Sequence, residues 1–105
     1  MDEIFLPAEL FPGLDDQQLR ERKTTLYQMY QDDFGITVVR ASERVRGVLA
    51  TRNQAKLLKT TVGAPLLLII RTVYSFQDRP VELRYSYVNT QHVEYRPDPY
   101  FRERK

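Results

Sequence analysis

The sequence contains no cysteine, which excludes a disulfide scaffold, a thiol nucleophile and any thiolate metal site. That absence fits a reducing cytosol, and a cytoplasmic location is the expectation. There is a single histidine, His92, with no second imidazole to share a metal ion or a proton relay. It reads as a satisfied loop or surface residue. Glycine is scarce, four in 105 residues, and no Gly-rich phosphate loop, HExxH pair or nucleophile elbow occurs. No apolar run reaches the length of a membrane span, since the longest, residues 65–70, ends at Arg71. The first residues, Met1-Asp2-Glu3, are acidic where a secretory signal is basic. No metal, no cofactor and no membrane contact are therefore expected.

What is present describes an ordinary globular chain. Its 105 residues suffice for one core and are too few for two. At 42% hydrophobic and 29% charged it does not resemble a disordered segment. The formal charge is only +2, and the arginines alternate mostly with Asp and Glu. No basic stripe tracks a phosphate backbone, so this chain by itself is not expected to bind nucleic acid.

Residues 4–14 (IFLPAELFPGL) are apolar but interrupted by Pro7, Pro12 and Gly13, which reads as a packed loop. Asp15 is a good N-cap for a short helical turn through Arg22, with Leu19 facing inward. Thr24 or Thr25 caps a clearer helix carrying Leu26, Met29, Tyr30 and Phe34 at helical spacing, stopped by Gly35. From Ile36 the alternation predicts a long strand to Leu49, with a bulge near Val38-Val39 to reconcile its two parities. Thr51 caps a short helix to about Lys59. Residues 66–76 (LLLIIRTVYSF) and 81–89 (VELRYSYVN), joined by a tight turn at Gln77-Asp78, form an antiparallel hairpin. On its second strand Val81, Leu83, Tyr85 and Tyr87 share one face; Glu82, Arg84, Ser86 and Val88 share the other. The fold class is α+β, an antiparallel sheet with flanking helices. Three strands are thin for independent stability, so further strands are expected from elsewhere.

Two places could carry binding chemistry. Lys23-Thr24-Thr25 opening a helix offers free backbone N–H groups, two hydroxyls and an ammonium, the physics of an anion site, against plain N-capping as the simpler reading. Glu82 beside Arg84 on the hairpin reads first as an ion pair and more sharply as a group recognising ligand hydroxyls. Asp15-Asp16 and Asp32-Asp33 are explained by helix-end charge and a solvated face.

Four segments in order, residues 6–14 (LPAELFPGL), 24–36 (TTLYQMYQDDFGI), 46–67 (RGVLAT with AKLLKTTVGAPLL) and 71–89 (RTVYSFQDRPVELRYSYVN), resemble UTRA domains. These are the effector-binding halves of HutC-type regulators in the GntR family. The resemblance implies a chorismate-lyase-like fold and a homodimeric regulator, whose sensing domain binds a small anionic metabolite such as a sugar phosphate, phosphonate or amino-acid derivative. It implies DNA binding only through a winged helix-turn-helix that this chain does not contain. On the same footing Thr25-Leu26-Tyr27 would bind the anion, with Thr24 beside it, and Glu82 with Arg84 would meet ligand polar groups. Val88 stands where relatives often have a tyrosine, and Asn89-Thr90-Gln91 replaces their Arg-Gly-Asp. Gln77-Asp78 replaces Asp-Gly in the turn, which asks Asp78 for a left-handed conformation. The opening strands of the domain are not expected in this sequence, so residues 1–105 read as a partial domain with residues 95–105 a loosely held tail. The competing readings are a lyase-like enzyme, for which no base with a partner can be named, and an assembly module pairing through the hairpin edge.

Overall fold

A computed structural model describes residues 1–91 and 93–96. The expectations for His92 and for residues 97–105 of the tail lie outside the described residues. Four strands form one antiparallel sheet: β1 (Asp2–Phe5), β2 (Arg40–Leu49), β3 (Pro65–Tyr74) and β4 (Pro80–Val88). Their spatial order is β1-β4-β3-β2. Three helices accompany them, α1 (Asp16–Glu21), α2 (Leu26–Phe34) and α3 (Arg52–Leu58).

The helices begin and end where the side chains dictate. Asp15 caps α1 by accepting from the Gln18 N–H at 2.8 Å, and the Gln18 side chain returns the bond to the Asp15 N–H. Thr51 and Gln54 form the same reciprocal box on α3. Gly35 ends α2 at φ 65°, in the left-handed region.

Three expectations are corrected. Residues 4–14 are not wholly loop: β1 begins before them and includes Ile4 and Phe5, pairing Asp2 with Ser86 through Phe5 with Leu83. The prolines fall after this short edge strand, at positions that donate nothing to its ladder, so they punctuate it without preventing it. The sheet accordingly has four strands, not three. The long strand starts at Arg40 rather than Ile36, because the Ile36 N–H donates to the Tyr30 carbonyl at 2.9 Å as part of the α2 cap. The β2–β3 register then runs unbroken from Arg40 with Tyr74 to Leu49 with Pro65. The irregularity lies instead between β3 and β4, where Val73 pairs with Glu82 and Tyr74 with Pro80. Val81 is the extra residue, and the bulge directs it into the core instead of leaving it beside Leu83.

The hairpin turn is a short 3-10 segment, Phe76–Asp78, in which Gln77 and Asp78 have φ of 60° and 56°. Asp78 thus adopts the left-handed conformation its position demands. Arg40 binds its carboxylate at 2.9 Å and stacks over the Tyr74 ring at 3.9 Å, tying the turn to β2.

Two apolar clusters lie on opposite faces. Phe11, Met29, Tyr30, Ile36, Ala41, Val73 and Val81 form the larger, with α2 laid across the face that carries Ala41 and Val73. Leu10, Leu14 and Leu19 pack against it from the N-terminal segment and α1. The smaller cluster joins Ala50, Ala55 and Leu66 to Val48, Leu58 and Tyr87, and seats α3 on the other face.

Candidate functional site

The strand registers line up the residues on the α2 face in rows. The first is Ala41, Val73 and Glu82; the second Glu43, Arg71 and Arg84; the third Val45, Ile69 and Ser86; the fourth Gly47, Leu67 and Val88. Alternation along each strand makes these sets share one face. The first row is roofed by Tyr30, and the second meets Tyr27, one turn nearer the start of α2.

The second row sets an electrostatic problem. Arg71 and Arg84 are register partners on neighbouring strands, and like charges placed so repel. Each is neutralised by a carboxylate. Arg71 binds Glu43 Oε1 through Nε at 2.9 Å and Nη2 at 2.5 Å, and its Nη1 donates to the Tyr27 hydroxyl at 3.5 Å. Arg84 donates from Nη2 to Glu82 Oε1 at 2.8 Å. Tyr30 donates its hydroxyl to the same Glu82 oxygen at 2.5 Å.

Burial governs how these groups hold their protons. Glu82 is 2% exposed, unusual for a carboxylate unless it is paired. The Tyr30 phenol is pushed far above its ordinary value, first by burial and then by its bond to Glu82. Burial works against the charge on Arg71, but the bonds to Glu43 and Tyr27 outweigh it and raise its pKa. Arg84 is raised in the same way by Glu82.

The cluster is not internally complete. Glu82 Oε2, Glu43 Oε2 and Arg84 Nε are buried without a hydrogen-bond partner. Buried polar atoms are almost always satisfied, and an unmet one costs about 1–3 kcal/mol. Two acceptor oxygens and one donor are therefore left without a partner among the described residues. Glu82 also borders a cleft of about 460 Å³ with Phe5, Leu6, Pro7, Thr72, Pro80 and Leu83.

The residues singled out from sequence fall unevenly around this cluster. Tyr27, Glu82 and Arg84 belong to it. Thr25 is the N-cap of α2, its hydroxyl accepting from the Gln28 N–H at 3.2 Å, so the capping role is met. Thr24 is exposed just before the cap. Val88 shares the face but lies four residues beyond Arg84, roughly 13 Å along the strand. It pairs with Leu67 beside Gly47, where an added Cβ would meet open space.

Sequence reasoning missed Tyr30, Arg71 and Glu43. Tyr30 was hidden by its helical spacing, which counts it as core; it is core and carries a buried hydroxyl as well. Arg71 had a signal, a charge interrupting an otherwise apolar strand. Glu43 had none until the β2–β3 register placed it beside Arg71.

Comparison with known proteins agrees with this architecture. The UTRA domain model matches residues 1–94. The "Probable fructoselysine utilization operon transcriptional repressor" of Escherichia coli K12 is 31% identical over 83 residues, which is 79% of this chain. The chain spans 33% of the length of that relative. Among solved structures, the ligand-binding domain of a Bordetella bronchiseptica protein assigned to the GntR-family transcriptional regulators superposes with a TM-score of 0.83. It is 38% identical, with 92% of this chain and 60% of that one covered. The effector domain of PhnF from Mycobacterium smegmatis gives a TM-score of 0.70 at 25% identity, covering 89% and 56%. With its sheet, its helices and its sequence matched along nearly its whole length, the chain belongs to the UTRA domain family of GntR-type transcriptional regulators.

Proposed function

We propose that this chain is the effector-binding part of a cytoplasmic GntR/HutC-type regulator, which senses a small anionic metabolite and so alters DNA binding by a winged helix-turn-helix elsewhere in the full-length protein. Residues 1–105 act as part of a sensing domain. A sugar phosphate, a phosphonate or an amino-acid derivative fits the reading. The observation that carries it is the buried cluster beneath the first turns of α2, whose Glu82 keeps one carboxylate oxygen without a partner. In this reading the backbone N–H groups after Thr25 receive the anion, with Thr24 and Tyr27 beside them. Glu82 and Arg84 orient the remainder of the ligand, and Val88 bounds its far end with an apolar surface. Catalysis forms no part of the proposed role, since the matched relatives are named as transcriptional regulators.

The regulator acts as a homodimer. Light scattering at micromolar concentration is expected to give twice the mass of the chain, and a monomer would count against the dimer. The sensing role is tested on the full-length regulator by a thermal-shift screen of phosphates, phosphonates and amino-acid catabolites. A ligand present at 100 times its dissociation constant adds about 2.7 kcal/mol. Thr25→Ala should weaken that shift and the operator response together. If no anion stabilises the protein, or if Thr25→Ala changes neither readout, the assignment fails.

A further inference from the structure

We infer that Glu43 is a second ligand-reading residue beside Glu82, so that the effector must present hydrogen-bond donors at two points as well as an anionic group. The inference rests on the sensing role proposed above and adds the chemistry of the ligand's other end.

Two arginines on a sheet face suggest an anion receptor, but here both are already engaged. Arg71 is bound to Glu43 by two nitrogens, and Arg84 to Glu82 by one. The second row and its neighbour Glu82 sum to zero, two guanidiniums against two carboxylates. The buried atoms they leave unmet are two acceptors, Oε2 of Glu43 and Oε2 of Glu82, and one donor, Arg84 Nε. A carboxylate oxygen accepts and never donates when ionised, so the complementary groups on a ligand are hydroxyl or ammonium.

Register and ion pairs link the two carboxylates through Arg71 and Arg84. Arg71 and Arg84 pair directly across β3 and β4, Tyr27 bonds to Arg71, and the Tyr27 and Tyr30 rings lie 6.0 Å apart above them. Glu43 is held at its Oε1 by the two-nitrogen grip of Arg71, which leaves Oε2 fixed in direction. A carboxylate oriented in this way discriminates sharply, because an analogue lacking the donor leaves a buried acceptor unpaired. Nothing else among the described contacts gives Glu43 a partner for that oxygen.

The test uses the 105-residue chain and two series of small anions on two- or three-carbon chains, without a donor or with an ammonium or hydroxyl donor. Ethyl phosphate, phosphoethanolamine and glycerol 3-phosphate form one; propionate, β-alanine and glycerate form the other. Calorimetry is expected to show at least tenfold tighter binding for the donor-bearing members of the series that binds. The amine and polyol arms identify which donor the site reads. Glu43→Gln, at a partly exposed side chain, should reduce that preference at least fivefold while leaving the affinity for the donor-free anion unchanged. Glu82→Gln should likewise reduce the preference, and circular dichroism establishes that each variant is folded. If ethyl phosphate or propionate binds as well as its partners, or Glu43→Gln keeps the full preference, Glu43 reads nothing and the inference falls, with the anion site intact. If none of the six binds, the anion site itself is contradicted and this inference with it.

Discussion

Tyr30 shows how much a single side chain does in this domain. Its ring is fully buried among Phe11, Ala41, Val73 and Val81, while its hydroxyl reaches 2.5 Å to Glu82. Tyr30→Phe keeps the packing and removes the donor. It is expected to cost about 1–3 kcal/mol in urea unfolding, because Glu82 then stays buried with one bond fewer. The phenol also sets an alkaline limit. Its folded pKa lies above the ordinary 10.0, so the native state retains a proton that the unfolded chain releases. Stability contributed by that proton is complete below about pH 10 and declines as pH rises beyond it. The wild-type chain should therefore lose stability above pH 10 more steeply than Tyr30→Phe, by up to about 1.4 kcal/mol per pH unit. Parallel slopes for the two proteins would remove Tyr30 from the account. Sequence alone could not separate these roles, since helical periodicity marks a position as inward and is silent on what the tip of the side chain meets.

The elements were legible to the degree that local chemistry decides them. Caps at Asp15, Thr25 and Thr51 and the stop at Gly35 depend on neighbours three or four residues away, and these are the features that the sequence places well. Thr51→Ala should lower stability by about 0.5–2 kcal/mol through loss of the reciprocal cap. The hairpin was also readable, but its bulge was not. Whether the extra residue sits in β2 or β4 depends on cross-strand register, which the alternation of one strand cannot fix. The turn offers a gain. Gln77 has φ 60° and little to favour it there. Gln77→Gly is expected to stabilise the chain by about 0.5–1 kcal/mol, the relief of left-handed strain less the entropy that glycine adds to the unfolded state. Thermal unfolding would report that as a rise of roughly 2–8 °C.

At the scale of the molecule, the sheet holds its polar row between two differently covered faces. α3 closes one side with a small apolar cluster, and α2 closes part of the other, so that Glu43, Arg71, Arg84 and Glu82 lie under the start of α2. Beyond them the same face becomes apolar through Val45, Ile69, Leu67 and Val88. The sequence indicated Tyr27, Glu82 and Arg84 through family resemblance, and the helix start through its capping pattern. It also pointed to the Glu82–Arg84 pair within β4, but not to the neutralisation of Arg71, because the Arg71–Glu43 pair exists only once β2 and β3 are in register. The edge strand β1 escaped notice for a related reason: four residues carry too little alternation to be seen without the β4 partner that defines them.

The central claim is that this cluster and the first turn of α2 form one binding site. Amide chemical shifts of the 105-residue chain, followed by NMR during titration with phosphoethanolamine, test it most directly. Saturable shifts concentrated at residues 25–28, 43, 71 and 82–84, and weakened in Glu82→Gln, are the predicted result. Shifts centred elsewhere, such as around α3 and Leu66, or none at millimolar ligand would contradict it.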